Sequence, residues 1–471
     1  MRRSLSLVLP LSFALAGCPK PATVDSCTPT SQKQAVLDVM RTWYLYPDLL
    51  RSVDPADDAA YPTVSSYLYA LTADAQAQGV DRGWTYATSY AQTQQYYDQG
   101  TSVGFGIGIL VRETLTGTRV FISQVFPGSA AADMGFARGD EVVAIGESDA
   151  TLVDVPTQLT RDEVAAWTGN AVGPSTAGVT RTFRVLTLVG ATEVRTMTKR
   201  TYGLDPVPEG PVLIPQGDGV PPVGYVALRT FIKRADALLQ DAFAQLQAAG
   251  VQDVVVDLRY NGGGLISTAQ LLANLLGADR QTTDVMFRVE NNPAHASLDD
   301  LTSFAPPAQA IAPFRIAFIT TGASASASEF VPNVLEAYHH QDVALVGAKT
   351  YGKPVGQRRF GMQECDLVVY LVSIRLVNAE GDGSYFDGLP DASGNFSGPL
   401  CAAEDDLTHP QSDVAEASTA AALQWLATGT CPAPPAAKAS APSAPEAVPA
   451  PDVYPESPAP DEAQRNVRGL F

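Results

Sequence analysis

Three short stretches of this 471-residue chain carry residue types that could do covalent chemistry on a carbonyl. The first is Thr321-Gly322-Ala323-Ser324-Ala325-Ser326-Ala327-Ser328-Glu329, which follows an apolar strand and opens a helical segment. Small residues permit a sharp strand-to-helix turn, and a helix N-terminus offers free N–H groups and the positive end of a dipole. A serine there can be presented to a carbonyl while nearby amides hold the developing oxyanion. Taken alone, Ser-Ala repeats serve equally as caps and close-packing turns. The second stretch is Lys349-Thr350-Tyr351-Gly352-Lys353-Pro354-Val355-Gly356-Gln357. A lysine withdrawn from water has a lowered pKa and can act as a general base, whereas a lone loop lysine is ordinarily a solvated charge. The third, Asp257-Leu258-Arg259-Tyr260-Asn261-Gly262-Gly263-Gly264, follows a strand. It reads as a tight turn, or as a backbone-donor loop at the carboxyl edge of a sheet, where sites of open α/β sheets lie. The glycine spacing is not that of a dinucleotide or P-loop fingerprint.

These stretches need a scaffold, and the hydrophobic pattern supplies one. Val223 to Leu228, Val254 to Leu258, Arg315 to Thr320 and Ala344 to Gly347 read as buried strands. Between them, Leu239, Phe243 and Leu246 share a helix face ended by Gly250, and Ala269 to Leu276 is helical. Alternating strands and helices imply an α/β core with crossover connections. Upstream, residues 98 to 202 turn to glycines and alternating strands. Val103 to Ile109 reads as one glycine-punctuated strand, followed by Val120 to Val125, Pro127-Gly128-Ser129-Ala130-Ala131, Gly135 to Asp140 and Val142 to Ile145. Before that, Val36, Val39, Met40 and Trp43 recur at helical spacing up to Pro47. Tyr67 to Leu71 and a stretch around Trp84 to Tyr97 complete a small helical domain. Three folded units agree with roughly 150 residues per domain.

Composition sets the outer limits. Hydrophobic residues make up 45% and charged ones 17%, enough to bury sizeable cores. With 31 Lys+Arg against 50 Asp+Glu, the net charge of -19 argues against nucleic-acid binding, which needs a cationic face. Met1-Arg2-Arg3, a short apolar run broken by Pro10, and the small residues before Cys18 describe a secretory signal too short to span a bilayer. Its removal takes away Arg2 and Arg3 and brings the net charge to -21. The remaining Cys27, Cys365, Cys401 and Cys431 suggest disulfides in an exported chain, with three connectivities open. No Cys-x-x-Cys pair exists, and His339-His340 is the only close histidine pair, so neither a metal nor another cofactor is expected. Residues 432–471, rich in Pro, Ala, Ser and Glu, read as a disordered tail.

Three resemblances go further. Leu15-Ala16-Gly17-Cys18 resembles the bacterial lipobox, which implies lipidation of Cys18 and a place in the cell envelope, anchored on the periplasmic or outer side. Residues 98–202 resemble a PDZ domain of the protease-associated kind, which implies that Gly104, Phe105, Gly106 and Ile107 receive a peptide C-terminus by β-addition. The three chemical stretches together resemble the C-terminal processing (tail-specific) serine peptidases, over roughly residues 98–392. That resemblance implies a multidomain α/β protein: a small helical N-terminal domain, a PDZ-like β-rich domain and an α/β, crotonase-like peptidase core. The expected order is signal peptide 1–17, tether 18–30, helical domain 31–97, PDZ-like domain 98–202, core 203–431 and tail 432–471.

Carried over residue by residue, the resemblance makes Ser326 the nucleophile, Lys353 the general base and Gln357 the residue that orients the lysine. It makes Ala327 and Gly263 the oxyanion donors, leaves Ser324, Ser328 and Glu329 structural roles, and gives Asp382 to Asp391 the place of a structural closing segment. The implied partners are protein or peptide substrates met through their C-termini, and a membrane through the lipid. There are departures. Ser326 and Lys353 are 27 residues apart, longer than the family's pattern, Pro354 replaces a commoner glycine, and Pro332 sits in the helix after the serine. An acidic residue used by some members between the two has only Glu336 and Asp342 as loose matches. Competing readings are an inactive peptidase-like scaffold that binds C-termini through its PDZ groove, and a Ser/Lys esterase or amidase. The apolar end Val467 to Phe471 could itself be a PDZ ligand.

Overall fold

The computed structural model describes Val24 and residues 26–208, 210–394 and 396–433. The expected signal, Cys18 and most of the proposed tail lie outside the described residues. Among those described, no helix is long and apolar enough to cross a membrane.

The strands Asp253–Asp257 and Arg315–Thr320 have wholly apolar interiors, Val254 to Val256 and Ile316 to Ile319, as strands buried on both faces must. They form the middle of a six-stranded sheet in the order Val212–Ile214, Val223–Ala227, Asp253–Asp257, Arg315–Thr320, Val343–Gly347, Leu400–Ala402. All neighbours run parallel except the first pair. Alternate side chains separate to opposite faces. Val254, Val256 and Phe318 pack with the helices Lys233–Ala248, Ile266–Leu275 and Ala327–His339, while Val255, Ala317 and Ile319 pack with Trp425 of the helix Ala417–Thr428. Each buried Val, Ile or Phe among them contributes about 1.5–3 kcal/mol. A disulfide, Cys401–Cys431, ties the last parallel strand to the end of that closing helix.

A second sheet lies beside the first. Its long strand Leu367–Asn378 pairs antiparallel with Val355–Met362 on one edge, and with Tyr86–Thr88 and Val285–Asn291 on the other. The N-terminal helices Pro29–Trp43 and Val64–Leu71 share one apolar cluster with this hairpin: Met40, Tyr44, Leu68 and Trp84 pack with Val355, Phe360, Val369 and Leu371. Cys27–Cys365 joins the start of that helical region to the hairpin's turn. The expected third helical stretch differs from what is found. Trp84 ends a turn, Tyr86–Thr88 is a strand, and only Tyr90–Tyr97 is helical. The short aromatic strand is captured by the open edge of Leu367–Asn378, a long-range pairing that helical periodicity cannot report.

The β-rich unit has its own core and a sheet ordered Ile107–Thr114, Gly117–Val125, Glu141–Gly146, Thr180–Leu186, Thr192–Thr198. Val103 to Ile109 is not one strand. Thr101–Gly104 pairs with Arg200–Gly203 in a separate ribbon, and Ile107–Thr114 begins the main sheet. The break falls at Gly106, whose φ of +77° and whose approach to the Ser129 side chain leave no room for a Cβ. The ribbon brings the two ends of the unit side by side where it meets the core.

Candidate active site

From Ile316 to Ala337 every residue is buried except Ser326. The turn that presents it is sewn down by its neighbours. Ser324 Oγ donates to the Leu258 carbonyl at 2.7 Å, Ser328 Oγ to that of Asn261 at 2.7 Å, and Ala325 N–H to Asn261 O at 3.1 Å. Ser324 and Ser328 thus hold the turn against the Asp257-to-Gly264 stretch. Ser326 itself has φ +56°, a region that costs a non-glycine residue about 1–3 kcal/mol. It caps the helix Ala327–His339, so Ala327 N–H stands at the first helical position, where no intrahelical acceptor exists. Pro332 lies within that helix without ending it.

Glu329 does more than support the helix. Fully buried, its carboxylate accepts four hydrogen bonds: from Ser326 N at 2.8 Å, Lys353 N at 2.8 Å, Gly352 N at 2.6 Å and Thr350 Oγ1 at 2.6 Å. Burial pushes its pKa up, against the pull of those four donors. One side chain therefore clamps the serine turn to the lysine loop. Tyr351 N–H adds a bond to Ser324 O at 3.0 Å.

Lys353 is 5% exposed. Burial lowers its pKa to about 8, with the negative fields of Asp81 and Glu329 resisting. Roughly a tenth of it is neutral at pH 7, far more than for a solvated lysine. Its Nζ donates to Gln357 Oε1 at 2.8 Å, and Gln357 Nε2 donates to the Trp84 carbonyl, which fixes the amide with its oxygen toward the amine. Among the described residues no hydrogen bond joins Lys353 Nζ to Ser326 Oγ. Both line one cavity of about 220 Å³, together with Gly262, Gly264, Ile266, Phe330, Tyr97 and Tyr385.

Sequence reasoning missed the support behind the lysine. Asp81, wholly buried, accepts from Tyr44 Oη at 2.9 Å, Trp84 N at 2.8 Å and Thr85 N at 3.1 Å, and burial raises its pKa. That turn aims the Trp84 carbonyl at Gln357. Arg82 donates to the carbonyls of Gly352 and of Phe386, the latter at 2.9 Å, and stacks over Trp84 and Tyr351. The only available signal was an Asp-Arg pair between Gly79 and Gly83 in an otherwise uncharged stretch. Asp382 to Asp391 also straps this loop: Leu389 N–H donates to Thr350 Oγ1 at 2.6 Å.

Gly263 sits against the serine. A Cβ there would lie 2.9 Å from both Ser326 Cβ and Ala327 N, at a φ of +104°. Its N–H is donated to Asn261 Oδ1 at 2.9 Å. Ahead of it, Arg259 is buried in ion pairs with Asp257 at 2.6 Å and Glu416 at 2.8 Å, and Tyr260 Oη meets Asp405 and Arg138 of the β-rich unit. Neither loose acidic match reaches the site: Glu336 accepts from Ser397 N at 2.9 Å, and Asp342 faces Arg315 at 3.6 Å. Gly104 to Ile107 line the break described above, away from this cavity. Among the described residues no cluster of His, Cys, Asp and Glu could hold a metal.

Comparison with known proteins adds to this geometry. Residues 222–388 match the description "Peptidase family S41", and residues 31–86 match "Peptidase S41 N-terminal domain". A carboxyl-terminal-processing protease of Synechocystis is 27% identical over 286 residues, 59% of this chain and 60% of that one. The chloroplastic C-terminal processing peptidase of Tetradesmus obliquus is 25% identical over 271 residues, 54% of this chain and 52% of that one. The chain thus spans between half and three-fifths of these curated relatives. The crystal structure of a Bacteroides fragilis protein assigned to the S41 proteases shares the fold, with a TM-score of 0.62 at 24% identity over 83% of this chain and 97% of that one. Residues 31–86 and 222–388 are thus similar to the N-terminal and peptidase regions of family S41, and the helical region, β-rich sheets and α/β core share the fold of a solved S41 protease.

Proposed function

We propose that this chain is a serine peptidase of the C-terminal processing type, acting on exported proteins through Ser326 and Lys353. The observation that carries the reading is the pairing, in one cavity, of Ser326, the one residue from 316 to 337 that is not buried, with a buried lysine whose pKa lies near 8. Neutral Lys353 has one lone pair left after donating to Gln357. Substrate entry would bring Ser326 Oγ onto that lone pair. Lys353 takes the proton as Oγ attacks the peptide carbonyl, and the oxyanion rests on Ala327 N–H and on Gly263 N–H once the latter exchanges Asn261 for substrate. The amine leaves with a proton from Lys353, and water, deprotonated by the same group, releases the acyl product.

The β-rich unit is read as a PDZ-like module receiving a C-terminus at Gly104, Phe105, Gly106 and Ile107. Two disulfides suit an oxidising compartment and support export, with Cys18 as the lipid anchor. The test is cleavage of unfolded polypeptides by the purified protein, beside Ser326→Ala and Lys353→Ala. Cleavage by wild type alone is expected. Wild type no better than the variants would reject the enzyme, and activity kept by both variants would reject the dyad.

A further inference from the structure

A cation stands in the cleft with no carboxylate to answer it. Arg359 lies two positions after Gln357 on the strand Val355–Met362, so the two share a face of the strand. It is exposed, and it lines the same cavity as Ser326 and Lys353. Its guanidinium lies 5.4 Å from the centroid of the Tyr97 ring, next to Tyr86 and Tyr370, which stack on each other at 4.8 Å. Neighbouring arginines are spoken for. Arg358 donates to Asn291 Oδ1 at 2.7 Å and covers Trp43, and Arg375 faces Glu290 at 3.5 Å. Among the described residues Arg359 has no ion-pair partner, although acidic residues outnumber basic ones 50 to 31.

Stacking on tyrosine holds a guanidinium flat and shields one face from water, while its planar edge matches a carboxylate bidentately. Arg359 stands two strand residues, about 7 Å, beyond Gln357 in the cavity that Ser326 also lines, so an extended peptide held at Ser326 would reach it roughly two to three residues from the scissile bond. We propose that Arg359 is a specificity-determining residue that receives a carboxylate of the peptide substrate at that distance. The proposal rests on the Ser326–Lys353 reading above. The carboxylate could belong to an acidic side chain or to the peptide's free C-terminus.

Matched peptides decide it: one pair with Glu or Gln at the second or third position on either side of the scissile bond, and one pair ending there as acid or amide. Wild type should cleave the carboxylate member of at least one pair about tenfold better in kcat/KM. Preference within the first pair assigns a side chain, and within the second the terminus. The ratio should fall to about one in Arg359→Gln, survive in part in Arg359→Lys, and turn toward a lysine-bearing peptide in Arg359→Glu. Equal kcat/KM within both pairs in wild type, or a preference that survives Arg359→Gln, would overturn the proposal. The same peptides titrated into Ser326→Ala, with and without Arg359→Gln, give a readout free of turnover. If wild type cleaves nothing, the peptidase reading fails, yet tighter binding of the carboxylate member that depends on Arg359 supports this site, and equal binding overturns it.

Discussion

The serine side and the lysine side of the cleft are fastened in opposite ways. The serine turn is held from within the α/β core: small residues, a cap, and bonds from Ser324, Ala325 and Ser328 to the adjacent loop of the same sheet. The lysine loop is held by Glu329 from the core and, from outside it, by the Trp84 carbonyl through Gln357 and by Arg82, both far away in the chain. The geometry of Ser326 is thus a property of the α/β core, whereas the position and pKa of Lys353 depend also on the N-terminal helices docked on the hairpin. A chain cut down to its central sheet would keep the turn and lose the tuned amine.

The largest expected effect comes from breaking the carboxylate that binds both sides. Glu329→Ala leaves four donors unanswered, three of them buried, at a cost of about 3 kcal/mol or more. Thermal unfolding and peptide cleavage should fall together. Lys353→Met should separate them. The buried amine's folded pKa lies below its unfolded value, so its protonated form opposes folding at neutral pH, and stability rises with pH between about 8 and 10.5. Replacing it removes a penalty of about 3 kcal/mol, so unfolding should move to higher temperature at pH 7 while activity is lost. A lower unfolding temperature would mean that the lysine is held as a structural ion.

Gln357→Ala tests the remote fastening. It frees Nζ and the Trp84 carbonyl, and should lower kcat on the order of 10- to 100-fold with little change in KM. Asp81→Asn should act in the same direction, with the acid limb of the rate profile moving to lower pH as a negative field beside the lysine is removed. The smallest effect should follow Cys27→Ser with Cys365→Ser, which loosens the helical region without touching the cleft. A modest loss of stability, about 2 kcal/mol, with activity largely kept is expected from equilibrium denaturation.

This asymmetry also explains what the sequence could disclose. Strands such as Val254-Val255-Val256 and the Ser-Ala turn announce themselves within a few residues, because apolar runs and small residues act locally. Ser326, Lys353 and Gln357 were nameable from their motifs, and all three line one cavity. The roles of Asp81, Arg82 and Trp84 were not, since they arise from pairing of Tyr86–Thr88 with a strand almost 300 residues later. Glu329 reads as a support for its helix in the sequence and becomes a clamp only when the lysine loop folds over it. The break at Gly106 was hidden for a similar reason: its cause, Ser129, approaches from another element.

The central claim is that Lys353 activates Ser326. Covalent labelling by a serine-reactive phosphonate, mapped by mass spectrometry and followed across pH, addresses it directly. We expect a single adduct on Ser326, forming at a rate that rises with pH about a midpoint near 8 as the amine becomes neutral, and absent in Lys353→Ala. An adduct on another residue, or labelling of Ser326 at an unchanged rate without the lysine, would contradict the account.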